Sequence, residues 1–246
     1  MELRRRRVTT CVLPYCWWAW KPSPRWLRRL RCVVSGIASC YVALTIARWG
    51  CDVVYTNTLT VCVGAVAARL LRRPHVLHIH EFGRADHGLE FDLGEARAFA
   101  FLNRYSDAVV VCSHAVASAM RRYFPPTKLT VAYPVVPAPG RGRPDLNGRS
   151  RQREAVLQCV IVGNIQEGKG QEDAVRAIDA LRDHGVIAKL RVVGRVTDTV
   201  YAKRVWALVM RQHLDQHIAF VGYARHSAAF LREADVVLVC SRHEAF

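Results

Sequence analysis

Val160-Ile161-Val162-Gly163-Asn164-Ile165-Gln166-Glu167-Gly168-Lys169-Gly170-Gln171 is the stretch whose reading decides the fold. An apolar run stops at Gly163, and a polar turn with two more glycines and Lys169 follows. From Glu172 to Arg182 the apolar residues Ala174, Ala177, Ile178 and Leu181 then recur at helical spacing. Strand, glycine-rich turn and helix in that order make a βα unit. Glycine lets a ligand approach the backbone, and a helix N-terminus and a lysine both favour an anion, so the turn is a candidate phosphate cradle. Its spacing matches neither the dinucleotide fingerprint nor a Walker A loop. An ordinary strand-to-helix turn has the same composition, and that alternative stays open.

The same rhythm extends in both directions. Downstream, strands are expected at 188–193, 218–221 and 235–239, with helices at 170–183, 199–213 and 226–233. Upstream, strands are expected at 53–55, 76–80, 108–112 and 129–132, with helices at 64–71, 95–105 and from the Ser113 cap to about 123. Strands alternating with helices imply parallel sheets covered on both faces. The rhythm breaks at 134–153, which holds four prolines, three glycines and five arginines, the composition of a linker. The expected division is therefore a basic, Trp-rich leader with an apolar helix (1–48), an N-terminal Rossmann-like domain (49–135), a linker (136–153) and a C-terminal Rossmann-like domain (154–246). Cys32–Ala47 is read as a buried amphipathic helix, short of a membrane span.

The net charge of +16 is unevenly placed: residues 1–31 carry nine basic residues and one acidic, whereas residues 151–246 carry fourteen and eleven. A nucleic-acid footprint would spread over a folded face with a recognisable module, and none is visible, so no nucleic-acid partner is expected. A peripheral contact between the basic N-terminus and an anionic membrane is the remaining use for that charge. The nine cysteines include no Cys-x-x-Cys pair, and Cys112, Cys159 and Cys240 sit in apolar runs. That usage suits small buried hydrophobes in a reducing, cytoplasmic setting. His75, His78 and His80 invite a zinc reading, but no third ligand at a sensible spacing points the same way, and no metal is expected.

Parallel α/β domains bind ligands outside the carboxyl ends of their strands. His80-Glu81 occupies such an end in the first half. In the second half the strand ends are Gly163 to Lys169, Gly194-Arg195, Gly222 and Ser241 to Glu244. The ordered series resembles glycosyltransferase family 4, the retaining nucleotide-sugar transferases of the GT-B fold. It is carried by Val162 to Gln171, Leu190-Arg191-Val192-Val193-Gly194, Phe220-Val221-Gly222 and Ala234 to Phe246, with Asp52 to Asn57, Pro74 to Glu81 and Ser106 to Ser113 upstream.

The resemblance implies transfer of a sugar from a nucleoside-diphosphate sugar, such as a UDP- or GDP-sugar, to an acceptor (glycan, lipid or small molecule), with no further cofactor. It implies that Lys169 neutralises the donor diphosphate, that Glu244 accepts from sugar hydroxyls and that His80 stands near the reacting groups. Gly163, Asn164, Gly170, Gly194, Gly222, Ala245 and Phe246 would line the donor. Asn164 stands where the family often has arginine, the second glutamate of the family's Glu-x7-Glu motif would fall beyond Phe246, and residues 1–48 hold no family-like Gly-rich loop. Incomplete first and second domains are therefore expected, and the alternative to an enzyme is a non-catalytic remnant with peripheral membrane or protein contacts.

Overall fold

The computed structural model describes residues 8–20, 22–135 and 156–245. The expected linker and Phe246 lie outside the described residues. The described residues up to 135, with Ala245, form one compact unit, and residues 156–244 form the other. Each holds a four-stranded parallel sheet, as the alternation requires.

In the first unit a two-stranded antiparallel ribbon joins β1 (Ala19–Trp20) to β4 (Glu90–Phe91). The main sheet has the order β2-β3-β5-β6, with β2 Val54–Thr56, β3 His75–Ile79, β5 Ala108–Val111 and β6 Leu129–Val131. Leu77, Ile79, Val109 and Val111 are completely buried, each at 0% exposure. Burying such a side chain is worth about 1.5–3 kcal/mol, so these four fix the sheet to its covering helices. Helix Glu95–Tyr105 has the bounds its periodicity predicts, and Ser113 caps His114–Met120 by accepting from the Val116 amide at 3.2 Å.

The leader is not a separate appendage. Trp18 is buried, its indole N–H donates to the Leu59 carbonyl at 2.7 Å, and its ring meets Phe91 edge-on. The helix that follows runs Arg25–Trp49, nine residues longer than expected, starting after Pro24 and ending at Gly50 in the left-handed conformation. Arg28 donates to the Phe91 carbonyl at 2.7 Å, and Arg31 forks onto the buried Asp92 carboxylate, pinning the helix to β4.

The expected burial of this helix is corrected by its two faces. The inward face is small and partly polar: Ser35, Ala38, Ser39, Val42 and Ala43. The outward face carries Trp26, Leu30, Val33, Ile37, Tyr41 and Leu44, with Ile37 70% exposed. Apolar periodicity marks a stripe without saying which way it points, and here the larger residues point out. By length and composition the helix is long and apolar enough to cross a membrane.

In the second unit the sheet order is β10-β7-β8-β9, with β7 Val156–Val162, β8 Ile187–Val193, β9 Ile218–Gly222 and β10 Val236–Val237. Helices Gln171–Asp183 and Thr199–Arg211 bury Ala174, Val175, Ile178, Ala202 and Val205 against it. Cys62, Cys112 and Cys159 are buried and Cys240 is half-buried, and burial pushes the Cys62 thiol up to about 12.

Under the first sheet His75 is buried between Thr56 (2.8 Å) and Ser106 (3.0 Å), and its own amide donates to Asp107 at 2.8 Å. Burial pushes its imidazole down to about 4, against which the Asp107 charge works only partly. The folded protein thus refuses a proton that the unfolded chain accepts below pH 6.5. Stability should fall by about 3 kcal/mol as pH drops from about 6.5 to about 4. Urea unfolding of the wild type and His75→Gln across that range should show a steeper acid loss in the wild type.

Candidate functional site

Because β7, β8 and β9 are parallel, their carboxyl ends lie on one edge, and a glycine stands at each. The Gly163 amide donates to the Val193 carbonyl and the Gly194 amide to the Gly222 carbonyl, both at 2.9 Å. The approach is close enough to exclude a side chain: a Cβ on Gly194 would lie 1.8 Å from the Gly163 carbonyl oxygen. The structure therefore brings together Gly163, Gly194 and Gly222, as the sequence predicts.

The turn after β7 is held from below. Gln171 is fully buried, and its amide donates to the Asn164 carbonyl at 2.9 Å; the Ile165 amide donates to the Arg195 carbonyl at 2.7 Å. Glu167–Lys169 forms a 3-10 turn, which ends at Gly170 with φ 65°. A Cβ on Gly170 would lie 2.2 Å from the Cys240 carbonyl oxygen. Gly170 is thus needed for two reasons at once, a left-handed backbone and the close approach of the chain after β10.

That second chain delivers Glu244. The Arg242 amide donates to the Gly168 carbonyl at 2.9 Å, and the Arg242 guanidinium pairs with Asp173 at 2.9 Å. Glu244 then meets Lys169 with Nζ and Oε1 2.6 Å apart, a charge-assisted hydrogen bond between two side chains about one-third exposed. Burial pushes the Glu244 carboxyl up, but hydrogen bonds from Lys169 and Ser241 and the lysine's charge outweigh it and hold the carboxyl below its usual range.

The helix end itself offers less to an anion than the sequence suggests. The Glu172 amide donates to the Tyr201 hydroxyl at 3.1 Å, and Glu172 and Asp173 place two carboxylates in the first turn. Those carboxylates already complement the helix dipole. What faces the glycine edge is Lys169, whose aliphatic stem lies alongside Gly163.

In the first unit His80 and Glu81 follow β3 but have different fates. Glu81 is buried, and its carboxylate accepts from the Thr58 hydroxyl (2.6 Å), the Leu59 amide (2.7 Å) and the His80 amide (3.0 Å). It ties the turn after β2 to the end of β3. His80 keeps its ring at the surface, with Nε2 2.6 Å from the Asn57 side-chain oxygen and the ring against that of His78, centroids 3.8 Å apart and planes tilted by 40°. His78 is bonded through Nδ1 to the Tyr55 hydroxyl, while its buried Nε2 has no hydrogen-bond partner. Burial and the neighbouring His80 hold the His78 imidazole below its usual value.

A cavity of 610 Å³ opens beside His80, lined among others by Tyr15, Trp17, Thr58, Thr60 and Leu89. Asn57 was not singled out as a site residue from the sequence, although it directly follows β2 and the strand-end rule applies to it equally. Tyr15 and Trp17 carry no such signal. Ala245 groups with the first unit, where its carbonyl accepts from the Ser113 hydroxyl. Among the described residues, no group of three His, Cys, Asp or Glu side chains is placed to hold a metal ion.

Two Rossmann-like parallel sheets, one with a glycine-lined strand edge bearing a lysine and a glutamate, define a protein of the GT-B class. Residues 4–138 match the family model described as Glycosyltransferase Family 4, and residues 157–246 match that of Glycosyl transferases group 1. The chain belongs to glycosyltransferase family 4.

Solved structures agree on the fold. A glycosyltransferase from Rickettsia africae ESF-5 superposes with a TM-score of 0.73 at 15% identity, over 100% of this chain and 63% of that one. Anabaena HepE in complex with UDP and glucose gives 0.68 at 18%, over 98% and 63%. The sucrose-phosphate synthase of Thermosynechococcus elongatus gives 0.60 at 20%, over 85% and 55%. The chain therefore spans less than two thirds of the length of these relatives. No curated protein matches the sequence.

The close approach at the strand edge makes a local prediction. Gly194→Ala should lower stability by about 1–3 kcal/mol, because the methyl group must push the Gly163 peptide away. Gly36→Ala, in the outward face of a helix with nothing within 4 Å, should instead raise stability by up to about 1 kcal/mol. Thermal melts of the two variants should shift in opposite directions.

Proposed function

We propose that the chain serves in transfer of a sugar from a nucleoside-diphosphate sugar to an acceptor hydroxyl, with retention of anomeric configuration. The observation that carries this reading is Lys169 held at the glycine edge, with Glu244 beside it. The bond from the sugar's anomeric carbon to the diphosphate oxygen breaks, a bond to the acceptor oxygen forms, and the acceptor's proton ends on the departing diphosphate. Lys169 stabilises the negative charge that grows on that leaving group, in a position fixed before the reaction starts. Gly163 and Gly222 let the donor approach the backbone, Gly170 and Gly194 admit the neighbouring turns that shape this edge, and Asn164 offers the donor a neutral hydrogen-bonding side chain. Glu244 accepts from the hydroxyls of the donor sugar.

Anabaena HepE forms complexes with UDP and glucose, with UDP and with UDP-glucose, which favours a uridine nucleotide over a guanosine one. In the first unit, His80 beside the 610 Å³ cavity supplies a titratable ring next to the exposed faces of Tyr15 and Trp17. That combination suits an acceptor with both a hydroxyl and an apolar face.

Isothermal titration with UDP and GDP tests the donor site. The wild type should bind UDP, and Lys169→Ala should weaken that binding at least tenfold, since the charge-assisted contact to phosphate is lost. Absence of binding by the wild type, or equal binding by both proteins, overturns the assignment.

For its location, the free cysteines, of which Cys62, Cys112 and Cys159 are buried, suit a reducing cytoplasm. The outward stripe of helix Arg25–Trp49 suits the inner surface of an anionic bilayer. Its apolar residues lie between Arg25 and Arg29 at one end and Arg48 at the other, with Trp26 and Trp49 at the same two ends. Vesicles of phosphatidylcholine with phosphatidylglycerol should co-sediment the protein. Vesicles of phosphatidylcholine alone should retain much less, and Ile37→Glu, at an exposed position, should lose the association. Equal sedimentation of variant and wild type rules out this surface.

A further inference from the structure

Lys169 and Glu244 are paired with each other at the glycine edge. That pairing turns donor binding into an exchange of partners. We propose that Glu244 is a built-in competitor for Lys169, so that the site discriminates a nucleoside diphosphate that carries a sugar from one that does not. The inference rests on the donor-site reading of Lys169.

The turn that carries Glu244 is tied to the turn after β7. The ties are three: the Arg242 amide on the Gly168 carbonyl, the Arg242 guanidinium on Asp173, and the contact between Gly170 and the Cys240 carbonyl that leaves no room even for a Cβ. A hydrogen bond from Ser241 further orients the carboxylate. When a diphosphate takes Lys169, the 2.6 Å hydrogen bond breaks and a carboxylate is left close to a second anion. Like charges at short range in a partly shielded site oppose one another.

Only the sugar-bearing ligand brings a remedy. Its hydroxyls donate to the carboxylate that the lysine has left, so every charged group keeps a partner. A bare diphosphate offers no such donor and leaves Glu244 without a replacement for Lys169. The same exchange favours product departure. Once the sugar has moved to the acceptor, Glu244 loses its donors, reclaims Lys169 and weakens the hold on the diphosphate. The two functional side chains thus act as one switch with two settings, and their separation by 75 positions in the chain is bridged by the approach of the two turns.

The sign of the effect separates this role from a simple contribution to binding. An exposed ion pair of this kind is worth a factor of about 2 to 5 in an equilibrium constant. Glu244→Gln and Glu244→Ala should therefore bind bare UDP about 2 to 5 times more tightly than the wild type. The same variants should bind UDP-glucose more weakly, so the preference for the sugar-bearing ligand collapses. Titration of the three proteins with UDP, GDP and UDP-glucose, with circular-dichroism melts to confirm folding, gives the result. The bare-nucleotide arm does not require the natural sugar to be glucose. Wild-type binding of UDP with no tightening in either folded variant overturns the exchange alone and leaves the donor site standing. Failure of the wild type to bind either nucleotide overturns both.

Discussion

The second unit depends on how closely its strand ends approach one another. A parallel sheet staggers its strands so that the backbone of one turn rides over the next, and at Gly194 the gap to the Gly163 carbonyl is too small for a single carbon. Everything that gives the site its chemistry follows from that contact. It sets the path of the turn after β7, which sets where Lys169 emerges. The buried Gln171 then clamps the turn through the Asn164 carbonyl, and Gly170 admits the chain after β10 that carries Glu244. The site is built by backbone approach, and its two charged side chains are added at the rim, where solvent keeps them exchangeable.

The first unit solves a different problem with the same topology. Its strand-end residues are fixed by side-chain networks instead of glycine contacts. Glu81 spends its whole carboxylate on the Thr58–His80 turn, which frees His80 to face outward while its backbone cannot move. Asn57 and the His78 ring then hold the His80 imidazole from two sides. Below them the neutral His75 links Thr56 on β2 to Ser106 ahead of β5, at the cost of an acid-sensitive core. The buried carboxylates of this unit are each satisfied: Glu81 accepts three hydrogen bonds, and Asp92 takes the Arg31 fork.

Much of this was legible in the sequence, and the reason is the burial of parallel strands. Runs such as Cys159–Ile161 and Ala108–Val111 are apolar because both faces of the sheet are covered there, and a glycine or a polar cap follows within two residues. The strand-end glycines could be picked out for the same reason, as could Lys169 and Glu244. Their pairing could not, since no local signal relates positions 169 and 244. The Ala19–Trp20 ribbon was invisible because two residues carry no periodicity. Of the closely spaced Trp17, Trp18 and Trp20 in the Trp-rich leader, Trp18 is the core member and the other two stay half-exposed. What distinguishes it is its hydrogen bond to Leu59 and its ring contacts with Phe91 and Phe101, and those contacts are tertiary.

The helix Arg25–Trp49 shows where periodicity gives a stripe but not its direction. Its small residues, Ser35, Ala38 and Ser39, recur at the same spacing as its large ones on the opposite side. Small residues permit close backbone approach, so the face with less apolar area is the one that packs tightest against Val61, Val63 and Ala67. The hydroxyls of Ser35 and Ser39 do not interfere, because each donates to a carbonyl on or near the helix itself. A helix apolar on both faces is stable only if both are covered, and the packing seen here accounts for one. The outward face is bounded by arginine and tryptophan at both ends and uncharged between them, which is the pattern behind the bilayer contact proposed above.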